Sequence, residues 1–335
     1  MSNLINNLIL REKIIDAVRE YFKLEKFHEV ETPLLVPSVI PESYLENFTT
    51  ILFDRRRRRK KMFLTASPES SLKKIIVAGL GNCFEITRSF RNGETDSLLH
   101  SPEFTILEWY RVGADYKEIM KDCENLFNKI SINLGINNSN ISYGNTKIDL
   151  APPWEKITVS KALKKYAMVD FDDITGINSL KRIKKIATDK GYNVSKNNTW
   201  EVTFNQIFLN EVEPHLGTNG RPTIIYDYPA ILAALAKLKK DDPRLAQRFE
   251  LYIAGLELGD CYTELTDWKE QNYRFKNELK LIRKSNKNKV VQDDTLIKAL
   301  KRGLPDCSGM AMGIDRVVML FGDIKDIKDT KFTFS

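Results

Sequence analysis

Histidine is scarce in this chain: His28, His100 and His215 are the only three in 335 residues. Three histidines so far apart in the sequence disfavour a histidine-based metal centre. The four cysteines, Cys83, Cys123, Cys261 and Cys307, stand far apart and form no C-x-x-C pair. That spacing argues against structural zinc and fits reduced thiols in a cytoplasmic protein. No apolar run approaches the roughly 18 to 20 residues that cross a bilayer, so no membrane span is expected. The opening MSNLINNLILREK has no basic region ahead of an apolar core, which excludes a signal peptide. No G-x-x-x-x-G-K-[ST] occurs, and Gly79-Leu80-Gly81 runs into Asn82-Cys83-Phe84, so there is no G-x-G-x-x-G either. A chain that uses nucleotide phosphates without those loops must grip them with side chains.

Charge is present but local. The formal net charge is +7, from 52 basic and 45 acidic residues. Arg55 to Lys61 (RRRRRKK) carries seven of the positive charges, and the rest of the chain balances at 45 against 45. The run reads either as a solvated hairpin tip or as a docking point for an acidic protein or RNA.

Apolar content of 42% supplies a core, and 335 residues make one large domain or two ordinary ones. Leu8 to Lys26 places Leu8, Ile14, Ile15, Val18 and Phe22 near helical spacing, which predicts an amphipathic helix. KFHEVETPLLVP then reads as a strand ending on Pro33, whose missing ladder donor suits an edge or interface. Ser67-Pro68-Glu69 predicts a helix start, with Ser67 as N-cap and Pro68 in the first turn.

The most informative stretch is Phe84 to Tyr110. It predicts a strand over Cys83–Phe90, a polar loop, and a strand over Glu103–Arg111 rich in β-formers. Arg91 at one lip can donate two hydrogen bonds to a phosphate, and Phe104 past the other can stack a base.

Asp115 to Leu134 predicts a helix, Ile141 to Asp149 a hairpin, and Trp154 to Leu216 a helical insertion with solvated lysines and no evident chemistry. The β pattern returns at Pro222. Arg248 to Asp267 predicts two strands around Gly255, carrying Glu250, Glu257 and Glu264 at intervals of seven. These are either exposed strand carboxylates or a row facing a site, where Mg²⁺ and an aliphatic ammonium would find partners. Trp268–Ser285 and Asp293–Lys301 predict charged helices. GLPDCSGMAMGIDRVVMLFG closes the pattern as a Gly-rich strand running into an apolar helix with Arg316. Gly309 and Gly313 would let a ligand approach the backbone closely.

In combination these stretches resemble the class II aminoacyl-tRNA synthetases: KFHEVETPLLVP motif 1, SFRNGE…HSPEFTILEWYR motif 2, and GMAMGIDR motif 3. The wording is most similar to the lysyl-type branch, and within it to the short enzymes that join a lysine-type amino acid to elongation factor P. The resemblance runs from about Leu8 to the C-terminus. It implies an α+β class II catalytic core as a single domain, with an antiparallel sheet flanked by helices, and a homodimer built on motif 1. It also implies no anticodon-binding domain, since the catalytic helix begins near Leu8.

The same resemblance implies roles. Arg91 would meet the α-phosphate of ATP and Arg316 the γ-phosphate, as the two catalytic charges. Asn92, Gly93, Glu94, Ser101, Phe104, Glu257, Leu258 and Gly313 would complete the nucleotide set, with Mg²⁺ on Glu250 and Glu257. Ser67, Pro68 and Glu69 would face the substrate's amino group, and Tyr110 and Glu264 would grip the distal amine.

Several positions depart from the family's wording. Lys26 stands where Gly often precedes the aromatic, and Arg91-Asn92-Gly93-Glu94 shifts the acid of R-x-E by one. Ser101 replaces a frequent Asn. Asp260 stands where Asn is usual and adds a charge near the substrate. Ala311 matches the ligase branch, where lysyl-tRNA synthetases commonly have Gly; it either packs beneath its strand or steers between lysine and (R)-β-lysine. The implied reaction forms an aminoacyl-adenylate and transfers it to a lysine of elongation factor P, with tRNA a poor acceptor. A tRNA-charging synthetase and a non-catalytic amino-acid-binding regulator are the alternatives.

Overall fold

The computed structural model describes residues 2–333. Its centre is an eight-stranded sheet made of β1 (His28–Glu29), β2 (Cys83–Phe90), β3 (Glu103–Val112), β4 (Glu155–Thr158), β5 (Thr223–Pro229), β6 (Leu245–Ile253), β7 (Leu256–Thr263) and β8 (Cys307–Gly313). They lie in the order β1-β2-β3-β8-β7-β6-β5-β4. The inner strands β2 to β5 of that order pair antiparallel. At the two edges β1 joins β2, and β4 joins β5, in parallel. The expected antiparallel sheet is thus mixed at its margins. Each parallel pair is joined through a long connection, as parallel neighbours require.

The main helices are α1 (Ser2–Leu24), α2 (Glu69–Val77), α3 (Tyr116–Asn133), α4 (Ser179–Asp189), α5 (Trp200–Ile207), α6 (Trp268–Lys284), α7 (Asp294–Gly303) and α8 (Ile314–Gly322). Side chains along a strand alternate between faces. Leu107 and Trp109 of β3, Met310 and Met312 of β8, and Phe249 and Leu251 of β6 therefore share one buried face, with α1, α3 and α8 packed on it. Phe22 of α1 stacks on Phe84 at 4.8 Å and meets Trp109 at 5.2 Å between ring centroids. Each such fully buried ring contributes about 1.5–3 kcal/mol. The opposite face of the same strands carries Glu108, Tyr110, Arg248, Glu250 and Ala311.

Four local outcomes differ from the sequence expectation. Strand β1 stops at Glu29, so Pro33 lies beyond it and does not end it. Helix α1 starts at Ser2, not near Leu8. It is followed by Lys26 at φ 62°, the left-handed conformation in which glycine would be unstrained. Helix α2 takes Pro68 as its N-cap, not Ser67, and Glu69 is its first residue. The segment 154–216 opens with β4 on the sheet edge before turning helical. Its helices bury Ile183, Trp200, Phe204 and Phe208 against Ile225, Tyr228 and Tyr252 of the main sheet.

A small sheet of Leu35–Val36, Thr49–Phe53 and Arg59–Leu64 stands apart, with the arginine run at its hairpin tip. All four cysteines are free and buried. Among the described residues no helix is long and apolar enough to cross a membrane.

Candidate active site

Strand register assembles the site. Glu108 of β3 pairs with Ala311 of β8, Ala311 with Asp260 of β7, and Asp260 with Glu250 of β6. The neighbouring row is Tyr110, Gly309, Tyr262 and Arg248. Directly paired residues point to the same face. Over these rows α2, α6, the insertion and the loop around Glu42 enclose a cavity of about 770 Å³. A second cavity of about 150 Å³ adjoins it. Arg91, Glu257, Asp260 and Ala311 line both.

One end of the larger cavity holds three carboxylates. Glu108 and Glu264 are buried, and Glu69 projects from the first turn of α2. Lys73, one helical turn after Glu69, inserts its ammonium between Glu69 Oε1 and Glu264 Oε2, 2.5 Å from each. Burial pushes Glu264 up to about 8 although Lys73 pulls the other way. Burial and the Glu69 charge raise Glu108 well above its ordinary range. Tyr110 donates its hydroxyl to Glu108 Oε1 at 2.8 Å, while Glu108 Oε2 is buried with no hydrogen-bond partner among the described residues. Three carboxyl groups face one ammonium, and a cationic ligand that enters among them would favour their ionised forms. Gly309 lines the larger cavity, and a side chain there would collide with the Tyr110 ring. The glycine makes room for Tyr110.

In the middle, Arg248 spreads its guanidinium over two acids. Nε and Nη2 donate to the two oxygens of Asp260 at 3.0 Å each, and Nη2 also donates to Glu250 Oε1 at 2.7 Å. The charge that Asp260 adds is thereby taken up inside the protein. Burial, with Glu257 and Asp260 nearby, pushes Glu250 up to about 7 against the pull of Arg248. Among the described residues no group of three or more His, Cys, Asp or Glu could by itself hold a metal ion. Two mutually repelling carboxylates suit a hard cation that takes its other ligands from phosphate and water, so Glu250 and Glu257 fit Mg²⁺.

The smaller cavity is lined by Arg91, Glu94, Ser101, Phe104, Glu257, Leu258, Gly313 and Arg316. Asn92 and Gly93 do not line it, and Pro68 does not line the larger cavity, whereas Ser67 and Glu69 do. The Asn92 N–H is instead committed to the Glu46 carbonyl at 2.7 Å. The Arg91 guanidinium lies 5.0 Å over the Phe104 ring, the face expected to receive a base, and 3.7 Å from Glu94. Arg316 donates from Nε to the Leu99 carbonyl and from Nη1 to the Glu257 carbonyl, at 3.2 and 2.5 Å, with Nη2 3.0 Å from His100 Nε2. Asp315, beside it, is clamped by Arg11 at 2.6 Å and Lys331 at 2.9 Å, which fixes the start of α8.

Lys73, Glu108, Arg248 and His100 were not expected from the sequence. Glu108 lies two residues before Tyr110 and Arg248 two before Glu250, the strand period that puts them on the same face. Lys73 lies four after Glu69, the helical equivalent. His100 and the insertion residues Glu201, Phe204 and Glu213, which line the larger cavity, carry no such local signal. The insertion thus contributes walls that its sequence did not suggest.

The family profile of the class II tRNA synthetases (D, K and N) matches residues 1–333, and the chain belongs to that family. It is 34% identical over 321 residues to the lysine–tRNA ligase of Histophilus somni, covering 96% of this chain and 62% of that protein. Identity to the lysine–tRNA ligase of Carboxydothermus hydrogenoformans is 35% over 321 residues, covering 96% and 63%. The chain therefore spans a little over three-fifths of the length of these relatives.

Proposed function

We propose that the chain is an ATP-dependent, AMP-forming ligase. It activates lysine or (R)-β-lysine and passes the acyl group to a lysine side chain of elongation factor P. The observation that carries the reading is the junction of the two cavities at Arg91, Glu257, Asp260 and Ala311. A diamino acid with its ammonium groups among Glu69, Glu108 and Glu264 would turn its carboxylate toward that junction. ATP in the smaller cavity would bring its α-phosphate to Arg91 and its γ-phosphate to Arg316.

A carboxylate oxygen then attacks the α-phosphorus, and the bond to the bridging oxygen breaks to release pyrophosphate. In the second step an amine nitrogen attacks the acyl carbon and AMP leaves. Alignment and charge neutralisation carry both steps, without a covalent protein intermediate. Glu250 and Glu257 would hold Mg²⁺, whose chemistry is neutralisation of phosphate charge.

The acceptor reading rests on Glu42, Glu201, Glu213 and Glu278, which line the larger cavity together with Phe204, Phe208 and Leu209. Burial and Glu69 push Glu42 up to about 7, and burial raises Glu201 and Glu213. Such a lining favours an ammonium on an aliphatic stem and disfavours a phosphate strand. A second reading, tRNA charging, is favoured by the names of the relatives. Mass spectrometry of elongation factor P incubated with enzyme, ATP and each lysine isomer should find the acyl adduct. Charging of lysine tRNA as fast as that modification would overturn the protein-acceptor reading. We also place the enzyme in the cytoplasm, as a two-fold dimer on the segment 8–37. A monomer by light scattering at micromolar concentration would remove the dimer.

A further inference from the structure

The Arg55–Lys61 run takes no part in the chemistry above. All seven side chains are exposed at the hairpin tip. Among the described residues only Arg58 of the run is in an ion pair, with Asp54 at 2.6 Å. Arg57 and Arg59 lie 4.7 and 5.8 Å from the ring centroid of Phe53, which is itself 43% exposed. A second basic segment, distant in sequence, meets the run: Lys61 Nζ donates to the Lys289 carbonyl at 2.8 Å, across 228 residues. Arg283, Lys284 and Lys289 are exposed on this segment. Between them Lys287 donates to the carbonyls of Ser43 and Tyr44, both at 2.8 Å, and Tyr44 lines the larger cavity. A basic surface built from two separate segments therefore meets, at Tyr44, a cavity that Glu42, Glu201 and Glu278 also line.

We propose that this basic surface docks an acidic protein whose reactive lysine projects into the cavity; this rests on reading the chain as a protein-lysine ligase. Positive outside and negative inside is the inverse of an acidic surface with one protruding ammonium. A nucleic acid would match the basic surface but would set its phosphates against the carboxylates of the cavity. Charges placed this way act on encounter and register more than on chemistry, and salt weakens them. Adenylate formation, buried in the interior, is independent of them.

The test uses the full-length enzyme with Arg55→Ser, Arg56→Ser, Arg57→Ser and Arg59→Ser combined, and separately with Lys284→Ser and Lys289→Ser. Three quantities are compared with wild type: lysine-dependent ATP–pyrophosphate exchange, the KM for elongation factor P at low and high salt, and charging of lysine tRNA. The expected result is unchanged exchange, a KM for the acceptor protein raised roughly tenfold or more by the quadruple variant, and loss of most of the salt dependence. The lysine pair should move KM in the same direction. Unchanged KM and salt dependence, with wild type modifying the acceptor, would overturn the docking surface alone and leave a solvated tip. A defect confined to tRNA would assign the surface to RNA. Wild type that exchanges pyrophosphate but leaves the protein unmodified would overturn the acceptor reading and the docking surface together.

Discussion

The two cavities prepare their charge in opposite ways. In the larger one, cations are already buried between acids: Lys73 between Glu69 and Glu264, and Arg248 between Glu250 and Asp260. In the smaller one, Arg91 rests on Phe104 with Glu94 at 3.7 Å, and Arg316 is held chiefly by the carbonyls of Leu99 and Glu257 and by His100, with the Glu257 carboxylate at 3.5 Å. Buried, prearranged charge can select a ligand by the number and position of its ammonium groups. Arginines with only these long carboxylate contacts keep most of their charge for a phosphate that arrives with the substrate. Losing one partner of a buried pair leaves an uncompensated charge and costs stability as well as binding. Losing a phosphate-facing arginine costs rate.

The largest expected effect tests the second half of that contrast. Arg316→Ala should leave the melting temperature nearly unchanged while adenylate formation falls on the order of 100-fold or more. Near-normal lysine-dependent pyrophosphate exchange in this variant would take Arg316 out of the site. Glu264→Gln tests the first half. A hydrogen bond to a charged group contributes about 1.5–3 kcal/mol, so the KM for lysine should rise roughly 10- to 100-fold. An unchanged KM would mean that the distal amine binds elsewhere.

A third expectation concerns pH. Glu264 is pushed up to about 8 and Glu250 and Glu42 up to about 7, all from an ordinary 4.5. A raised carboxyl pKa means that the folded protein holds the proton more tightly than the unfolded chain. The stability this brings is complete below the ordinary value and is lost as pH rises through about 7 to 8. His100, lowered by burial and by Arg316, works in the opposite sense below about pH 6.5, but it is one half-buried group against three. The melting temperature of the unliganded protein should therefore fall between about pH 5 and 8, and saturating lysine should narrow the fall. A rising melting temperature across that window would contradict the burial of charge described here.

The smallest effect belongs to Ala311, whose register neighbours on either side are Glu108 and Asp260. A methyl group contributes roughly 1 kcal/mol in bulk, so Ala311→Gly should shift activation from β-lysine toward α-lysine by several-fold. An identical isomer ratio in both proteins would return Ala311 to simple packing.

Much of this contrast was legible in the sequence because strands and helices repeat on short periods. Strands β2, β3, β5, β6 and β7 followed from β-formers and breakers and β8 from the family resemblance, and Glu250, Glu257 and Glu264 at intervals of seven were visible before any fold. Glu108 and Arg248 were legible in principle, since period two ties them to Tyr110 and Glu250. The parallel edges were not, because β1 and β4 are short and their pairing depends on partners far along the chain. The meeting of Lys61 with Lys289, and of the insertion helices with the cavity, are long-range contacts that no local pattern encodes. The packing of Tyr110 against Gly309 was not legible either, because Tyr110 lies on the neighbouring strand.

The central claim is that an amino-acid cavity and a nucleotide cavity meet to make an adenylate. Amino-acid-dependent exchange of pyrophosphate into ATP, with no acceptor present, tests it most directly. Lysine or (R)-β-lysine should drive exchange, and norleucine, which lacks the distal amine, should not. Exchange that proceeds equally with norleucine, or that never depends on the diamino acid, would contradict the account.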